Sequence, residues 1–451
     1  MEGNMSDTIA AIATGQQVAA IGIVRISGEK AVEYADRLFF PYRGGLLREQ
    51  PDRKLVFGEL RNRNGDLLDI CLCTVSRGPD SYTGENTAEF QCHGSPMLLR
   101  TLLQELFALG ARQAGPGEFT KRAFLNGRMD LSSAEAVIDL IDAESEESVR
   151  NAAGQLSGAI HRRAVSVYDM LKDMSAHFHA VLDYPDEDIE EFKLQNYRTA
   201  LDEGLRNLED LLATYSRGRL MNSGIPTAII GLPNAGKSSL LNYLLGYDRA
   251  IVTEIPGTTR DTVEERVRFG GVTLRLIDTA GIHETGDRVE ILGVQRSLEA
   301  AKRATLVLAM IDGSQEPDPE LEKVLETARQ AEQSVILVSK TDLPEKYKGP
   351  GLRISSRTGE GIDLLERRIK ELFPAQKVPA GEILTNARQA NAVERAAESL
   401  RAAQEAFGDG LTPDIVLTEV EGAMEALGEL TGASIREDVT NQIFSRFCVG
   451  K

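Results

Sequence analysis

Cysteine is scarce in this chain, with four in 451 residues: Cys71, Cys73, Cys92 and Cys448. That excludes a disulfide framework as the source of stability, and Cys71-x-Cys73 without a second matching pair is not a zinc signature. His177-x-His179 adds no metal site, because rings at i and i+2 on a helix point apart, and Cys92-His93 has no partner pair in the sequence. No zinc is assigned, and a reducing cytoplasm is the expected compartment. Long apolar runs are also missing. Leu306 to Ile311 is far short of a bilayer span, and the opening MEGNMSDTIA lacks the basic start of a leader, so neither membrane insertion nor export is expected. Positive charge is in deficit, with 51 Lys and Arg against 69 Asp and Glu and a net charge of −18. Such a balance argues against coating nucleic acid by bulk attraction and leaves only a local basic patch for that purpose.

What is present is enough chain for about two to four domains. From residue 8 to about 125 the pattern is strand-rich, with Val18 to Ile26, Leu55 to Leu60 and Leu67 to Ser76 broken by turn signals such as Arg63-Asn64-Gly65-Asp66. One helix interrupts it at Met97 to Leu109, where leucines recur at helical spacing. From Ser132 the period becomes helical, and Tyr184-Pro185 breaks the run. Helices return after Pro374, at Asn386 to Phe407, Ile415 to Leu430 and Ser434 to Phe447. The fold class is therefore multidomain: an α+β domain over 1–125, a helical domain in two parts over 126–221 and 377–451, and an inserted α/β domain over 222–376. The inserted domain should enter and leave the helical domain at neighbouring points.

The inserted segment carries the clearest chemistry. Pro226 to Ile230 is an apolar strand that runs into Gly231-Leu-Pro-Asn-Ala-Gly236-Lys237-Ser238 and then a helical pattern, the strand, loop and helix order of a P-loop. Its glycines let successive N–H groups face phosphate oxygens at a helix N-terminus, Lys237 reaches the β and γ phosphates, and Ser238 offers a hydroxyl to Mg²⁺. Asn234, Ala235, Gly236 and Ser239 complete the loop contacts. The strand Val272 to Ile277 delivers Asp278-Thr279-Ala280-Gly281, a carboxylate for the metal side and an N–H for the γ-phosphate. Between these lies Pro256-Gly257-Thr258-Thr259-Arg260-Asp261, a switch loop whose threonine hydroxyls, Thr259 among them, complete the Mg²⁺ shell only with a γ-phosphate present.

Guanine is selected at Ser339-Lys340-Thr341-Asp342, where an apolar strand ends in a carboxylate that can accept from guanine N1–H and N2–H₂; adenine offers neither donor. The usual element is Asn-Lys-x-Asp, and Ser339, shorter than an amide, is expected to weaken base affinity. Ser355, Ser356 and Arg357 on the next strand end present backbone N–H groups to the base. Ile282, which follows the Asp-x-x-Gly element, cannot orient water as a glutamine would.

Gly-x-Pro-Asn-x-Gly-Lys-Ser-Ser, Gly-Thr-Thr-Arg-Asp and Asp-Thr-Ala-Gly resemble the TrmE-Era-Era-like family of bacterial GTPases. The flanking segments Ser81-Tyr-Thr-Gly-Glu85, Gly115-Pro-Gly-Glu-Phe-Thr-Lys-Arg-Ala-Phe-Leu-Asn-Gly127 and Phe447-Cys-Val-Gly-Lys451 resemble its tRNA-modifying members, so that the likeness covers essentially the whole chain. The resemblance implies a homodimer that works with the FAD-containing protein MnmG, in a heterotetramer, to build an aminomethyl or carboxymethylaminomethyl group on C5 of the tRNA wobble uridine. It implies GTP as substrate, Mg²⁺ and K⁺ as ions, and 5,10-methylene- or 5-formyl-tetrahydrofolate as the carbon source. Potassium would sit on Asn234, Thr253, Ile255 and Thr258, with Glu254 in the same nucleotide-contacting loop, and Glu290 would orient the water. Arg25, Glu85, Arg128 and Lys451 match the folate contacts, Arg128 standing where some relatives carry lysine. Cys448 would serve the modification chemistry.

Two other readings stay open on the sequence. One is a GTP-gated ribosome- or RNA-assembly factor without modification chemistry, although no KH-type Gly-x-x-Gly lies near the C-terminus. The other is a folate-dependent one-carbon enzyme that acts on a small molecule under GTP control.

Overall fold

The computed structural model describes residues 7–15, 17–183, 191–247, 265–277, 299–374, 378–434 and 437–450. These fall into two compact units, one made of 1–138, 156–201 and 398–451 and the other of 139–155 and 202–397.

The first unit opens with an α+β sheet. Strands β1 (Ile9–Ile12), β2 (Ala19–Ser27), β3 (Phe39–Pro41), β4 (Val56–Arg61), β5 (Leu67–Ser76), β6 (Thr87–Gly94) and β7 (Arg112–Gln113) pair in the order β3-β4-β5-β6-β2-β1-β7. Alternation sends Val24, Ile26, Cys71, Cys73, Val75, Phe90 and Cys92 to one face, where α1 (Ala31–Leu38) and α2 (Pro96–Leu109) bury them. β2, β4, β5 and α2 lie within a residue of the sequence expectation, which did not include β1, β3, β6 or β7. The helix α1 and the short α3 (Glu118–Leu125) are additional. Each spans only eight residues, too few for periodicity to announce, yet α1 still buries Ala31, Tyr34, Ala35 and Leu38 at helical spacing.

The next helices are α4 (Leu131–Ile141), α5 (Glu146–Leu156), α6 (Ala159–Asp183), α7 (Glu191–Leu212) and α8 (Tyr215–Ser223). Within the first unit, α6 packs along a helix near the C-terminus, Pro413–Thr431. That pairing puts an early and a late helical stretch together, as expected from the sequence.

The second unit holds a six-stranded sheet of β8 (Ile225–Gly231), β9 (Glu265–Phe269), β10 (Val272–Leu276), β11 (Leu306–Asp312), β12 (Gln333–Ser339) and β13 (Leu352–Arg353), in the order β13-β12-β11-β8-β10-β9. All pairings are parallel except β9 with β10. β11 reads Leu306-Val-Leu-Ala-Met-Ile311 without alternation because helices cover both faces of a parallel sheet. Among the described residues, the helices of this region include α9 (Lys237–Tyr247), α10 (Leu321–Gln330) and α11 (Ile362–Leu372). Beyond it come α12 (Ala387–Gly408), the Pro413–Thr431 helix as α13, and α14 (Glu437–Phe444). The last is shorter than expected because the chain turns after Phe444, stacking Phe447 on it with ring centroids 5.3 Å apart.

The points where the inserted sheet begins and ends are tied together. Arg217 on α8, just ahead of β8, donates to the Pro374 carbonyl and forms an ion pair at 2.7 Å with Glu147 of α5. The returning chain lies so close to α5 that a Cβ on Gly154 would meet the Ala380 carbonyl oxygen at 2.4 Å. Asn151 of α5 seals the contact, accepting from the Gly381 and Ile383 amides and donating to the Ile383 carbonyl.

Candidate functional site

β8 lies inside the parallel sheet, so the loop after it opens at the carboxyl edge, where ligands of open α/β sheets bind. The loop from Gly231 to Gly236 turns through positive φ at Asn234 (60°) and Gly236 (94°), and α9 begins at Lys237. Asparagine tolerates that left-handed conformation better than most residues, which gives Asn234 a backbone reason for its place. Gly231 has a packing reason, since a Cβ there would meet the Met310 carbonyl oxygen at 2.6 Å. Lys237 Nζ lies over the loop, donating to the carbonyls of Gly231 and Leu232 at 2.8 and 2.9 Å. Asn234, Ser238 and Ser239 face solvent and Ala235 is buried.

The base-recognition loop is bound to the P-loop through Ser339. Its hydroxyl lies 2.7 Å from the Ala235 carbonyl and 3.1 Å from that of Ile311, and its single proton serves one of them at a time. The short side chain thus reaches the P-loop. Lys340, at φ 60°, extends to Asp312 at Nζ–Oδ2 2.7 Å. Burial pushes the Asp312 carboxyl up, but bonds from Lys340 and Ser314 outweigh it and leave it below its ordinary value. Asp342 is aimed by Ser355, whose hydroxyl donates to Oδ1 at 2.8 Å, while exposed Arg357 holds a guanidinium nitrogen 3.8 Å from Oδ2. Ser356 is half-buried between them in sequence. The Ser355 hydroxyl bond to Asp342 is a side-chain contact that the sequence reading did not include.

Thr253, Glu254, Ile255, Pro256, Gly257, Thr258, Thr259, Asp278, Thr279, Ala280, Gly281, Glu290 and Lys451 lie outside the described residues. The Ile277 amide donates to the Thr227 carbonyl at 3.0 Å, which registers the strand that leads to Asp278 beside β8.

A second set of candidates gathers in the first unit. Arg25 of β2 bonds Glu89 at 2.7 Å, and its guanidinium carbon stands 5.4 Å from the Tyr82 ring centroid and 5.6 Å from that of Phe119. Glu85 accepts from Ser27 at 2.7 Å and from Arg122 at 3.1 Å. Arg128 approaches the same loop, its Cγ 3.4 Å from where a Cβ on Gly84 would stand, and its nearest ion pair is a loose 3.8 Å to Asp80. The C-terminal tail lies along the Gly115–Gly117 turn: Val449 bridges Pro116, the Gly117 amide donates to the Cys448 carbonyl at 3.3 Å, and the Cys448 side chain is exposed. Gly117 needs to be glycine here, with φ 61° and Phe447 Cβ 2.8 Å from its would-be Cβ.

The centre of this region is a residue not singled out from the sequence. Arg122, 4% exposed, bonds Asp7 at 2.6 Å, Glu118 at 3.0 Å and Glu85 at 3.1 Å, and Arg112 clamps Asp7 and Glu118 from outside, each at 2.7 Å. Desolvation alone would lower the Arg122 pKa, but Glu85, Asp7 and Glu118 raise it. For Asp7 and Glu118 the order is mirrored. Burial pushes both carboxyls up, and the two arginines, with the Gly115 amide for Glu118, bring them below their ordinary values. The available signal was Glu118 and Arg122 at i, i+4 inside the quoted Gly115 to Gly127 segment.

A P-loop joined to a guanine-type recognition loop on a parallel sheet defines a P-loop GTPase domain, here carried by a chain with helical and α+β parts. Residues 8–128 match the family model described as the GTP-binding protein TrmE N-terminus, and residues 131–448 match the MnmE helical domain. The chain is 44% identical over 451 residues to the tRNA modification GTPase MnmE of Thermus thermophilus, covering 99% of this chain and all of that one. It is 42% identical over 455 residues to the MnmE of Symbiobacterium thermophilum, covering 99% of each. Among solved structures, the G domain of the T. maritima FeoB iron transporter is 29% identical over 32% of this chain and 96% of that one, with a TM-score of 0.23. The chain belongs to the MnmE family.

Proposed function

We propose that this protein hydrolyses GTP and couples hydrolysis to modification of C5 of the tRNA wobble uridine in the cytoplasm, with the FAD-containing MnmG as partner and a tetrahydrofolate as carbon donor. In the nucleotide site, Lys237 exchanges its two carbonyl partners for phosphate oxygens, and Ser238 offers its hydroxyl to Mg²⁺. Asp342, already aimed by Ser355, accepts from the guanine edge, and the Ser339 bond holds base loop and phosphate loop in register. Potassium is assigned to Asn234, Thr253, Ile255 and Thr258, and water orientation to Glu290. Bound near developing phosphate charge, K⁺ would take the place of an arginine finger in supplying positive charge.

The observation that carries the coupled reading is the Cys448 tail laid on the Gly115–Gly117 turn, in the unit that also gathers Arg25, Glu85 and Arg128. The donor set suits a folate: Glu85 has the acceptor oxygens that a pterin's N–H edge needs, and Arg25 and Arg128 are cations for its glutamyl carboxylates. Arg122 is committed to three carboxylates and positions Glu85. Homodimer formation is supported by the outer face of the seven-stranded sheet, which exposes Val18, Ile21, Phe40, Phe57 and Ile70.

The test is nucleoside analysis of tRNA from a deletion strain complemented with the wild-type chain or Cys448→Ser. The wild type restores the wobble modification and Cys448→Ser does not. Full restoration by Cys448→Ser removes the cysteine from the chemistry, and unmodified tRNA with the wild type favours the assembly-factor reading. In the same preparation, GTP turnover is faster in potassium than in sodium; equal rates remove the potassium assignment.

A further inference from the structure

β5 and β6 run antiparallel with Cys73 opposite Phe90 and Leu72 opposite Gln91, so the next step places Cys71 opposite Cys92. Both thiols are buried on the inner face of the sheet. Asp69, two residues before Cys71, points to that same face. One carboxylate oxygen and the two sulfur atoms lie within 4.8 Å of one another. The sequence supplies no partner for Cys92-His93; the strand pairing supplies Asp69 and Cys71.

We propose that Asp69, Cys71 and Cys92 form a binding site for a thiophilic divalent cation of the zinc class, unrelated to the nucleotide and folate sites. Two sulfurs and one carboxylate oxygen make a donor set that such an ion accepts, with a fourth position for water. From ordinary zinc bond lengths, tetrahedral donors stand about 3.3–3.8 Å apart, so small rotamer changes close the three groups on an ion. The carboxylate is already oriented: the His93 amide bonds Oδ2 at 2.9 Å and its ring Nδ1 lies 2.8 Å from Oδ1. That second layer of support is what ligating carboxylates have. His93 is 76% exposed and Asp69 10%, so the cluster opens to water on the histidine side while the sulfurs stay dry.

A thiol gives up its proton when it becomes a metal ligand. Binding therefore forms two metal–sulfur bonds and one metal–oxygen bond, breaks two S–H bonds and releases both protons to solvent, with no change of oxidation state. Cys73, two residues on, sits deeper beneath the sheet and takes no part. The ion would staple β5 to β6 where β6 ends at Gly94 and α2 begins at Pro96.

The test uses the full chain, fully reduced and stripped of metal, titrated with cobalt(II) alone and then zinc(II) alone. The expected result is one equivalent of cobalt with thiolate-to-metal charge-transfer absorption, displaced by one equivalent of zinc. Cys71→Ser and Cys92→Ser abolish the band, while Cys73→Ser and Cys448→Ser keep it. Because the three buried serine variants risk misfolding, the near-isosteric Asp69→Asn at the rim is decisive, with circular dichroism as the fold control: its cobalt affinity drops about tenfold or more. Absence of the band in the reduced wild type overturns the proposal. So does its loss in Cys448→Ser, or unchanged affinity in Asp69→Asn.

Discussion

The two candidate sites are built in opposite ways. The nucleotide site is a set of loops that leave successive parallel strands, and each is nearly complete as a stretch of chain: Gly231–Ser238 after β8, Ser339–Asp342 after β12, Ser355–Arg357 after β13. Among the described residues, its cross-links include the neutral bond of Ser339 to Ala235 and the Lys340–Asp312 ion pair. The site in the first unit is assembled from single residues far apart in the chain. Asp7, Glu85, Arg112, Glu118 and Arg122 meet through charged bonds, Arg25 pairs with Glu89, and the tail at Cys448 reaches the Gly115–Gly117 turn across more than three hundred positions. Loops that bind phosphate and base work through backbone groups whose aim is local. A buried charge cluster can form only when the whole domain has closed, and it ties the integrity of the site to folding.

The largest way to expose this difference is Arg122→Met. It leaves Asp7, Glu85 and Glu118 without their buried cation, and the expected cost is about 3–5 kcal/mol of first-unit stability, read by urea unfolding. GTP affinity, a property of the other unit, stays within twofold; a matching fall in both would break the comparison. Next is Asp342→Asn. An amide cannot accept from both guanine donors, and GTP affinity falls about 100-fold, or about 2.7 kcal/mol, in a fluorescent-nucleotide titration with little change in unfolding midpoint. The pH dependence comes third. Asp7 and Glu118 have folded pKa values below the ordinary 3.8 and 4.5, so their contribution is complete above those values and is lost as pH falls through the folded ones. Among the described residues the nucleotide loops carry one such carboxylate, Asp312, so acid should unfold the first unit ahead of the second, as monitored by hydrogen exchange of each. The smallest effect is Ser339→Ala, which cuts one hydrogen bond between loops and weakens GTP binding by about 1 kcal/mol, or roughly fivefold. No change would mean that Ser339 serves packing alone.

Much of this was legible in the sequence, and the reason differs by region. Gly231 to Ser238 and Ser339 to Asp342 announce themselves because a phosphate loop needs particular residues at adjacent positions, and the apolar strands before them need only local alternation or continuous burial. The long strands of the first sheet and the long helices follow from periodicity over eight or more residues. The helices α1 and α3 were too short to show, and α14 ended early for a tertiary reason, the turn that stacks Phe447 on Phe444. The bond from Ser339 to the Ala235 carbonyl, about a hundred positions earlier, was not legible, because only the sheet order brings the two together.

By itself, then, the amino-acid order determined most of the longer strands and helices, where the phosphate and base loops stand, and the family to which the chain belongs. Tertiary structure alone decided that Arg122 is the hub of three carboxylates, that Cys448 returns to the Gly115–Gly117 turn, and that Cys71 faces Cys92 beside Asp69. The physical reason is the range of the interaction. Backbone propensity and phosphate-binding loops act over a few residues, whereas charge pairing and thiol proximity act through space, and only strand register and domain closure bring such partners within bonding distance.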